Sequence, residues 1–168
     1  MKKIIFISIL IFIMTSCEEK NNFKTIDKQD FTIEVPESLQ DFSGQMSDNA
    51  LLELADTTKK IYVVVEAFDK NDSIKNPYED LLKYYIEDDF IDSTVIEKTK
   101  QTKYGEAHII QAETIELLMD LSSTQTFWVA GLFPGKDKYY VLWTWTERIY
   151  KPDYEKTLNK IVDSFKVK

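Results

Sequence analysis

Tyr139-Tyr140-Val141-Leu142-Trp143-Thr144-Trp145 reads as a strand with bulk on both of its faces. Aromatic and β-branched residues favour the pleated conformation. Side chains alternate along a strand, so Tyr139, Val141, Trp143 and Trp145 share one face while Tyr140 and Leu142 share the other. A strand apolar on both faces has to be covered on both, and the usual covers are helices. This stretch therefore predicts a sheet with helices packed against each side.

Working backward, strands are expected over Thr94–Lys103, Glu106–Leu118 and Thr124–Phe133. They are separated by turns at Tyr104-Gly105, at Asp120-Leu121-Ser122-Ser123 and at Pro134-Gly135-Lys136-Asp137. Connections this short permit only antiparallel neighbours. Further upstream, Phe31-Thr32-Ile33-Glu34-Val35 alternates apolar and polar and stops at Pro36. A loop, Gln40–Asn49, precedes Ala50–Ala55 and the β-branched run Ile61–Phe68, which together read as a hairpin. Asn76-Pro77-Tyr78-Glu79 has the residues of a helix start. Leu81, Leu82, Tyr85, Ile86 and Phe90 follow it at helical spacing. A second helix starts near Pro152, with Asp153 and Glu155 suited to its N-terminal dipole. Its stripe is Tyr154, Leu158, Ile161, Val162 and Phe165. The expected class is α+β, a twisted antiparallel sheet with helices packed on it.

The N-terminus sets a different kind of constraint. Lys2 and Lys3 precede an apolar run, Ile4–Met14, broken only by Ser8. That run is too short to span a bilayer, which takes roughly 20 residues of helix. It fits the apolar region of a secretory signal peptide. Met14-Thr15-Ser16-Cys17 then resembles a bacterial lipobox, and Cys17 is the only cysteine in the chain. The resemblance implies cleavage before Cys17, a diacylglycerol on its thiol and acylation, commonly palmitate, of the new N-terminus. The organisation expected is a signal peptide over 1–16, a lipidated cysteine and polar tether over 17–30, and one domain over 31–168. A tether of about thirteen residues reaches at most about 45 Å. Two or more acyl chains hold a protein stably at a membrane. Glu18-Glu19 resembles the export signals of surface lipoproteins of the Bacteroidota, and is equally what a solvated tether would carry. The localisation read from this is the cell envelope, at the outer membrane rather than the inner.

The closing strand YYVLWTW, the polar turn after it and the helix ending Ile161-Val162-Asp163-Ser164-Phe165-Lys166 resemble the PsbP-like family. So does Phe31–Leu39, FTIEVPESL. The resemblance spans about Phe31 to Phe165. It implies an α/β/α sandwich and a non-enzymatic accessory or binding role. The founding member's photosynthetic role is not implied, because no residue here matches a motif tied to it.

The chain carries a formal net charge of −8. Without residues 1–16, which include Lys2 and Lys3, 19 basic and 29 acidic side chains remain, a net of −10. Nucleic acid is excluded as a partner, since its backbone demands basic neutralisation. Anionic head groups should repel so acidic a domain, leaving membrane residence to the anchor.

Candidate chemistry is sparse. His108 is the only histidine, so no two-histidine metal site can form, and no nucleophile motif lies beside it. Asp69, Asn71, Ser73 and Asp80 partly mimic a calcium loop, but Ile74 stands where the sharp turn needs glycine, and the closing carboxylate is Asp rather than Glu. Glu87, Asp88, Asp89 and Asp92 read as a solvated helix face. No Gly-rich phosphate loop, nucleophile elbow or zinc signature is present. No catalytic residue, metal site or cofactor is assigned.

Trp128, Tyr139, Tyr140, Trp143 and Trp145 are the remaining group. Most are read as core, with this strand as the place of any ligand or partner surface. The functional expectation is a lipid-anchored envelope protein, not an enzyme, that binds a protein partner. The alternative is a small-ligand-binding lipoprotein using an aromatic groove. Cys17→Ser should abolish incorporation of labelled palmitate and move the protein from the detergent phase to the aqueous phase of a Triton X-114 partition; unchanged partition would remove the anchor.

Overall fold

The computed structural model describes residues 22–70, 78, 95–117 and 123–168. Lying outside them are the signal peptide expected over 1–16, Cys17, most of the helix expected from Asn76, the acidic cluster 87–92 and the turn residues Asp120, Leu121 and Ser122.

Among the described residues, ten strands and one full α-helix follow the order expected for an α+β chain. The first strands are β1 (Phe23–Asp27), β2 (Phe31–Pro36), β3 (Gln40–Asp41), β4 (Ala50–Asp56) and β5 (Ile61–Asp69). Then come β6 (Ile96–Thr102), β7 (Gly105–Leu117), β8 (Ser123–Pro134) and β9 (Lys138–Glu147). A 3-10 turn over Arg148–Tyr150 leads into helix α1 (Lys151–Ser164), and β10 (Lys166–Val167) closes the chain.

Seven strands form one antiparallel sheet in the order β3-β4-β5-β9-β8-β7-β6. The meander β6 to β9 folds back so that β9 lies against β5, with Val64 opposite Trp143 and Tyr62 opposite Trp145. That puts β9 in the middle of the sheet, which is why both of its faces are apolar. The turn between β4 and β5 is held by the Asp56 carboxylate, which accepts from the N–H groups of Thr58 and Lys59 at 3.1 and 2.9 Å.

Helix α1 packs on β8, β9 and β2. Pro152 sits in its first turn with Asp153, as its sequence pattern requires. Leu158, Ile161 and Val162 are fully buried against Val129, Phe127, Phe133 and Leu142. Phe165 ends the helix and is clamped between sheets, 5.1 Å from the Phe31 ring and 4.7 Å from the Phe133 ring. Two polar ties fix the helix ends. Lys151 Nζ and Arg148 Nε both reach Glu113 of β7 at 2.7 Å. At the other end Ser164 Oγ accepts from Glu34 N–H of β2 at 2.9 Å. The Lys151 hydrogen bond above all holds the Glu113 carboxyl below its usual range, against the upward push of burial and with the charges of both cations adding to it.

The tether boundary moves. Phe23–Asp27, read as polar tether, is a strand paired antiparallel with β2, from Phe23 opposite Pro36 to Asp27 opposite Thr32. With β10 on the other side of β2 it makes a second, three-stranded sheet. Only Phe23 and Ile26 are apolar in this segment, three residues apart, so no two-residue alternation announces a strand. Tertiary contacts supply the order instead. Lys160 Nζ lies 3.6 Å over the Phe23 ring, Lys24 Nζ donates to Leu39 O at 2.8 Å, and Lys168 pairs with Asp27. The domain therefore includes residues 23–30.

The opposite face of the large sheet carries Val64, Ile110, Ala130, Leu132, Val141 and Trp143 as a second apolar cluster. Tyr78, helical and from the helix expected to start at Asn76, packs against that cluster. Among the described residues no helix is long and apolar enough to cross a membrane.

Gly131 lies where sheet and helix approach closely. A Cβ there would lie 2.4 Å from the Phe133 ring and 3.1 Å from Val162. Phe133 is itself buried and pinned by Phe165, so the ring has little room to yield. Gly131→Ala should cost about 1–3 kcal/mol through overpacking, lowering the urea midpoint with an unchanged slope; a midpoint equal to that of the parent would show that the ring moves freely.

Candidate functional site

The second face is built in rungs across the strands. Tyr62, Trp145 and Trp128 are direct cross-strand neighbours on β5, β9 and β8. Their rings form a ladder, 5.2 Å from Tyr62 to Trp145 and 4.9 Å from Trp145 to Trp128. The next rung is Val64, Trp143, Ala130 and Ile110. The third is Glu66, Val141, Leu132 and His108. Direct and diagonal neighbours on one face are within reach of large side chains. Trp143 accordingly meets Trp128 edge-on at 6.4 Å and donates its indole N–H to Glu66 at 3.2 Å.

These rungs leave a groove of about 390 Å3 lined by Met46, Ser47, Val64, Glu66, Trp128, Trp143 and Trp145. Val64 and Trp143 are buried and form its floor; the other lining residues are half-buried and form its walls. Small side chains beside Trp143, Val64 on one strand and Ala130 on the other, create the depression between taller neighbours.

The wall opposite the tryptophans comes from the loop between β3 and β4. Glu53 holds that loop in place although it is only 1% exposed. Its carboxylate accepts from Gln45 N–H at 3.0 Å, from Met46 N–H at 3.1 Å and from Ser47 N–H. Burial pushes the Glu53 carboxyl upward, but the backbone donors of Gln45, Ser47, Met46 and Gly44 outweigh it and hold it below the usual range. A carboxylate ringed by backbone N–H groups is the arrangement that favours the charged form. The loop in turn positions Ser47, whose hydroxyl bonds Glu66 at 2.5 Å. Trp128 is oriented separately, by its indole N–H donating to Thr114 at 3.1 Å.

Of the five aromatics singled out in the sequence, Trp128, Trp143 and Trp145 come together here. Tyr139 lies on the same face nearer the β5–β9 end, under Lys70 Nζ at 5.0 Å from its ring. Tyr140 lies on the other face, in the core beside Phe31 and Phe165. Strand alternation separates it from the others, so it belongs to packing and not to the groove. The groove residues that sequence reasoning missed are Glu66, Ser47, Met46 and Val64. One signal was available: Glu66 interrupts the apolar run of β5, where an acidic residue needs a partner.

His108 stands mid-strand, its ring 4.3 Å from that of Tyr78 and its Nε2 3.8 Å from Glu106. Burial and the neighbouring Glu97 carboxylate push the Tyr78 phenol up. No cluster of metal-ligating side chains occurs among the described residues. Residues 71–77, 79 and 80 of the calcium-like loop lie outside them.

No family model and no curated protein matches this chain. Solved structures do. Cyanobacterial PsbP from Synechocystis sp. PCC 6803 superposes with a TM-score of 0.59 at 10% identity, covering 88% of this chain and 94% of that one. The Saccharomyces cerevisiae Ran-binding protein Mog1p gives 0.55 at 12%, covering 87% and 95%. LpqN, involved in cell envelope biogenesis of Mycobacterium tuberculosis, gives 0.50 at 8%, covering 87% and 90%. The fold is PsbP-like.

At such identities no side chain carries over, so the groove has to be tested on this chain. Glu53 has a depressed folded-state pKa. Its contribution is therefore complete above the unfolded value, about 4.3, and is lost as pH falls through the folded value. Glu53→Gln should cost about 1.5–3 kcal/mol at neutral pH, because donors lose a charged acceptor. The gap in melting temperature between parent and variant should close as pH is lowered below about 4; a gap constant with pH would show that the charge is irrelevant.

Proposed function

We propose that this chain is a lipid-anchored protein of the cell envelope, carried at Cys17 and more at home in the outer membrane than the inner, whose domain is a non-enzymatic binding module for a protein partner. The observation that carries the partner reading is the aromatic groove on the face opposite α1. Trp128 and Trp143 are oriented by hydrogen bonds, and neither they nor Trp145 are consumed in the helix-side core. Half-buried tryptophans in a shaped depression are the commonest anchors of protein interfaces. Fold likeness to a Ran-binding protein and to an envelope-biogenesis protein supports a scaffold that displays surfaces rather than one that performs chemistry.

Order beginning at Phe23 sharpens the anchored geometry. Only residues 18–22 separate Cys17 from β1, a reach of about 18 Å at full extension. A domain held that close samples a thin layer above the membrane, which raises the effective concentration of any partner fixed in the same layer.

A second reading, a small ligand in the same groove, is favoured by the groove's volume of about 390 Å3, within the roughly 300–1,000 Å3 of ligand pockets. The two are separated by cross-linked capture of the full-length protein from its own membranes beside the Cys17→Ser form. A stoichiometric partner with the anchored protein alone supports the module reading. Capture of nothing, together with a melting temperature raised by small molecules, would replace it with the ligand reading.

A further inference from the structure

We infer that the tryptophan groove recognises an arginine side chain presented by the protein partner, with Glu66 as the residue that selects it. This rests on the partner reading above and names the chemistry of the contact.

Glu66 has hydrogen-bonding capacity left unused. An ionised carboxylate offers about four lone-pair sites on two oxygens. Ser47 Oγ occupies one site on Oε1 and Trp143 Nε1 one on Oε2. One site remains on each oxygen, a spacing that suits the fork of a guanidinium. Ser47 and Trp143 also fix the carboxylate from two sides, so little conformational freedom remains to be lost on binding. Among the described residues no lysine or arginine forms an ion pair with Glu66. The chain's only arginine, Arg148, is engaged elsewhere, with Glu113 at 2.7 Å and Gln125 at 2.8 Å.

The rest of the groove supplies what a guanidinium needs beyond charge. Trp128, backed by the Trp145 ring, presents aromatic surface along one wall, and indole is the ring on which guanidinium planes stack best. Met46 and Val64 offer apolar surface to the methylene stem. A lysine ammonium would use the charge but neither the fork nor the stacking plane. The formal net charge of −8 favours a basic partner and opposes an acidic one.

The test uses the full chain in detergent and a short acetylated, amidated Gly-Gly-Arg-Gly-Gly peptide, read by tryptophan fluorescence and by the Trp143 indole N–H resonance. Saturable quenching that weakens with salt, with the Trp143 resonance shifting along the same curve, is expected. The citrulline peptide, equal in shape and uncharged, should not saturate. Glu66→Gln should weaken arginine-peptide binding about tenfold, the loss expected when one charged partner of a partly exposed pair is neutralised. Trp145→Leu should weaken it several-fold with the melting temperature checked in parallel. Equal binding of the citrulline peptide, undiminished binding by Glu66→Gln, or saturation by choline without response to the peptide would each overturn the assignment. Membrane capture repeated with Glu66→Gln separates the two levels. A partner retained by that variant overturns the arginine assignment and leaves the module reading intact. Peptide binding with no captured partner does the reverse.

Discussion

Everything in this fold follows from the burial of β9 on two faces. Once the meander of β6 to β9 turns back, β9 docks against β5 and becomes an interior strand with no solvent side. Tyr140 and Leu142 then need one cover, and Val141 and Trp143 need another. The first cover is α1 with the small sheet behind it. The second is shared between Tyr78, the rungs of neighbouring strands and the loop that carries Met46. A single interior strand thus dictates two cores. The two differ in kind. The helix side is aliphatic and phenylalanine-rich, with residues at zero exposure such as Val129, Leu142 and Ile161. The other side is tryptophan-rich and carries polar groups.

That difference has a physical cause. Phenylalanine and branched aliphatics carry no polar atoms, so they can be packed by shape alone, as Phe31, Phe133 and Phe165 are around one another. Each tryptophan brings an indole N–H that costs free energy if left unpaired. Trp128 and Trp143 therefore need acceptors inside an apolar face, and Thr114 and Glu66 provide them. The acceptors fix where the rings point. A face built this way is rigid without being filled, and the groove between Met46 and the tryptophans is the outcome.

The sequence made the large elements legible because their periodicities are long. Ile61–Phe68, the meander from Ile96 onward and the terminal helix each carry enough apolar residues at one spacing to exclude the alternatives. Short elements were not legible. β1 is ordered by Lys160 and Lys168, both far from it in sequence, and by its own Lys24 reaching Leu39 O. β3 and β10 are two residues each and exist only as partners of β4 and β2. The strand order was beyond reach for the same reason, since pairing β5 with β9 depends on contacts some eighty residues apart. In the site, alternation correctly divided Tyr140 from Trp143, yet it could not say that Trp145 would stand beside Tyr62 and Trp128. That alignment is a matter of register, and register is set by the whole sheet.

Two glutamates near each other on β4 and β5 play opposite parts. Glu53 is buried and accepts from backbone N–H groups of three successive residues, Gln45 to Ser47. Its capacity is taken up by its own chain, and its effect is to hold a loop. Glu66 is half-buried, opposite Val141, and among the described residues it accepts from the Ser47 hydroxyl and the Trp143 indole alone. Ser47 belongs to both systems, giving its backbone N–H to Glu53 and its hydroxyl to Glu66. The buried carboxylate thereby fixes the group that fixes the half-buried one. A charge already oriented, already partly desolvated and still short of hydrogen bonds has more to gain from an incoming cation than from water alone. The same acidic residue type thus closes a loop at one position and keeps acceptor sites in hand at the next.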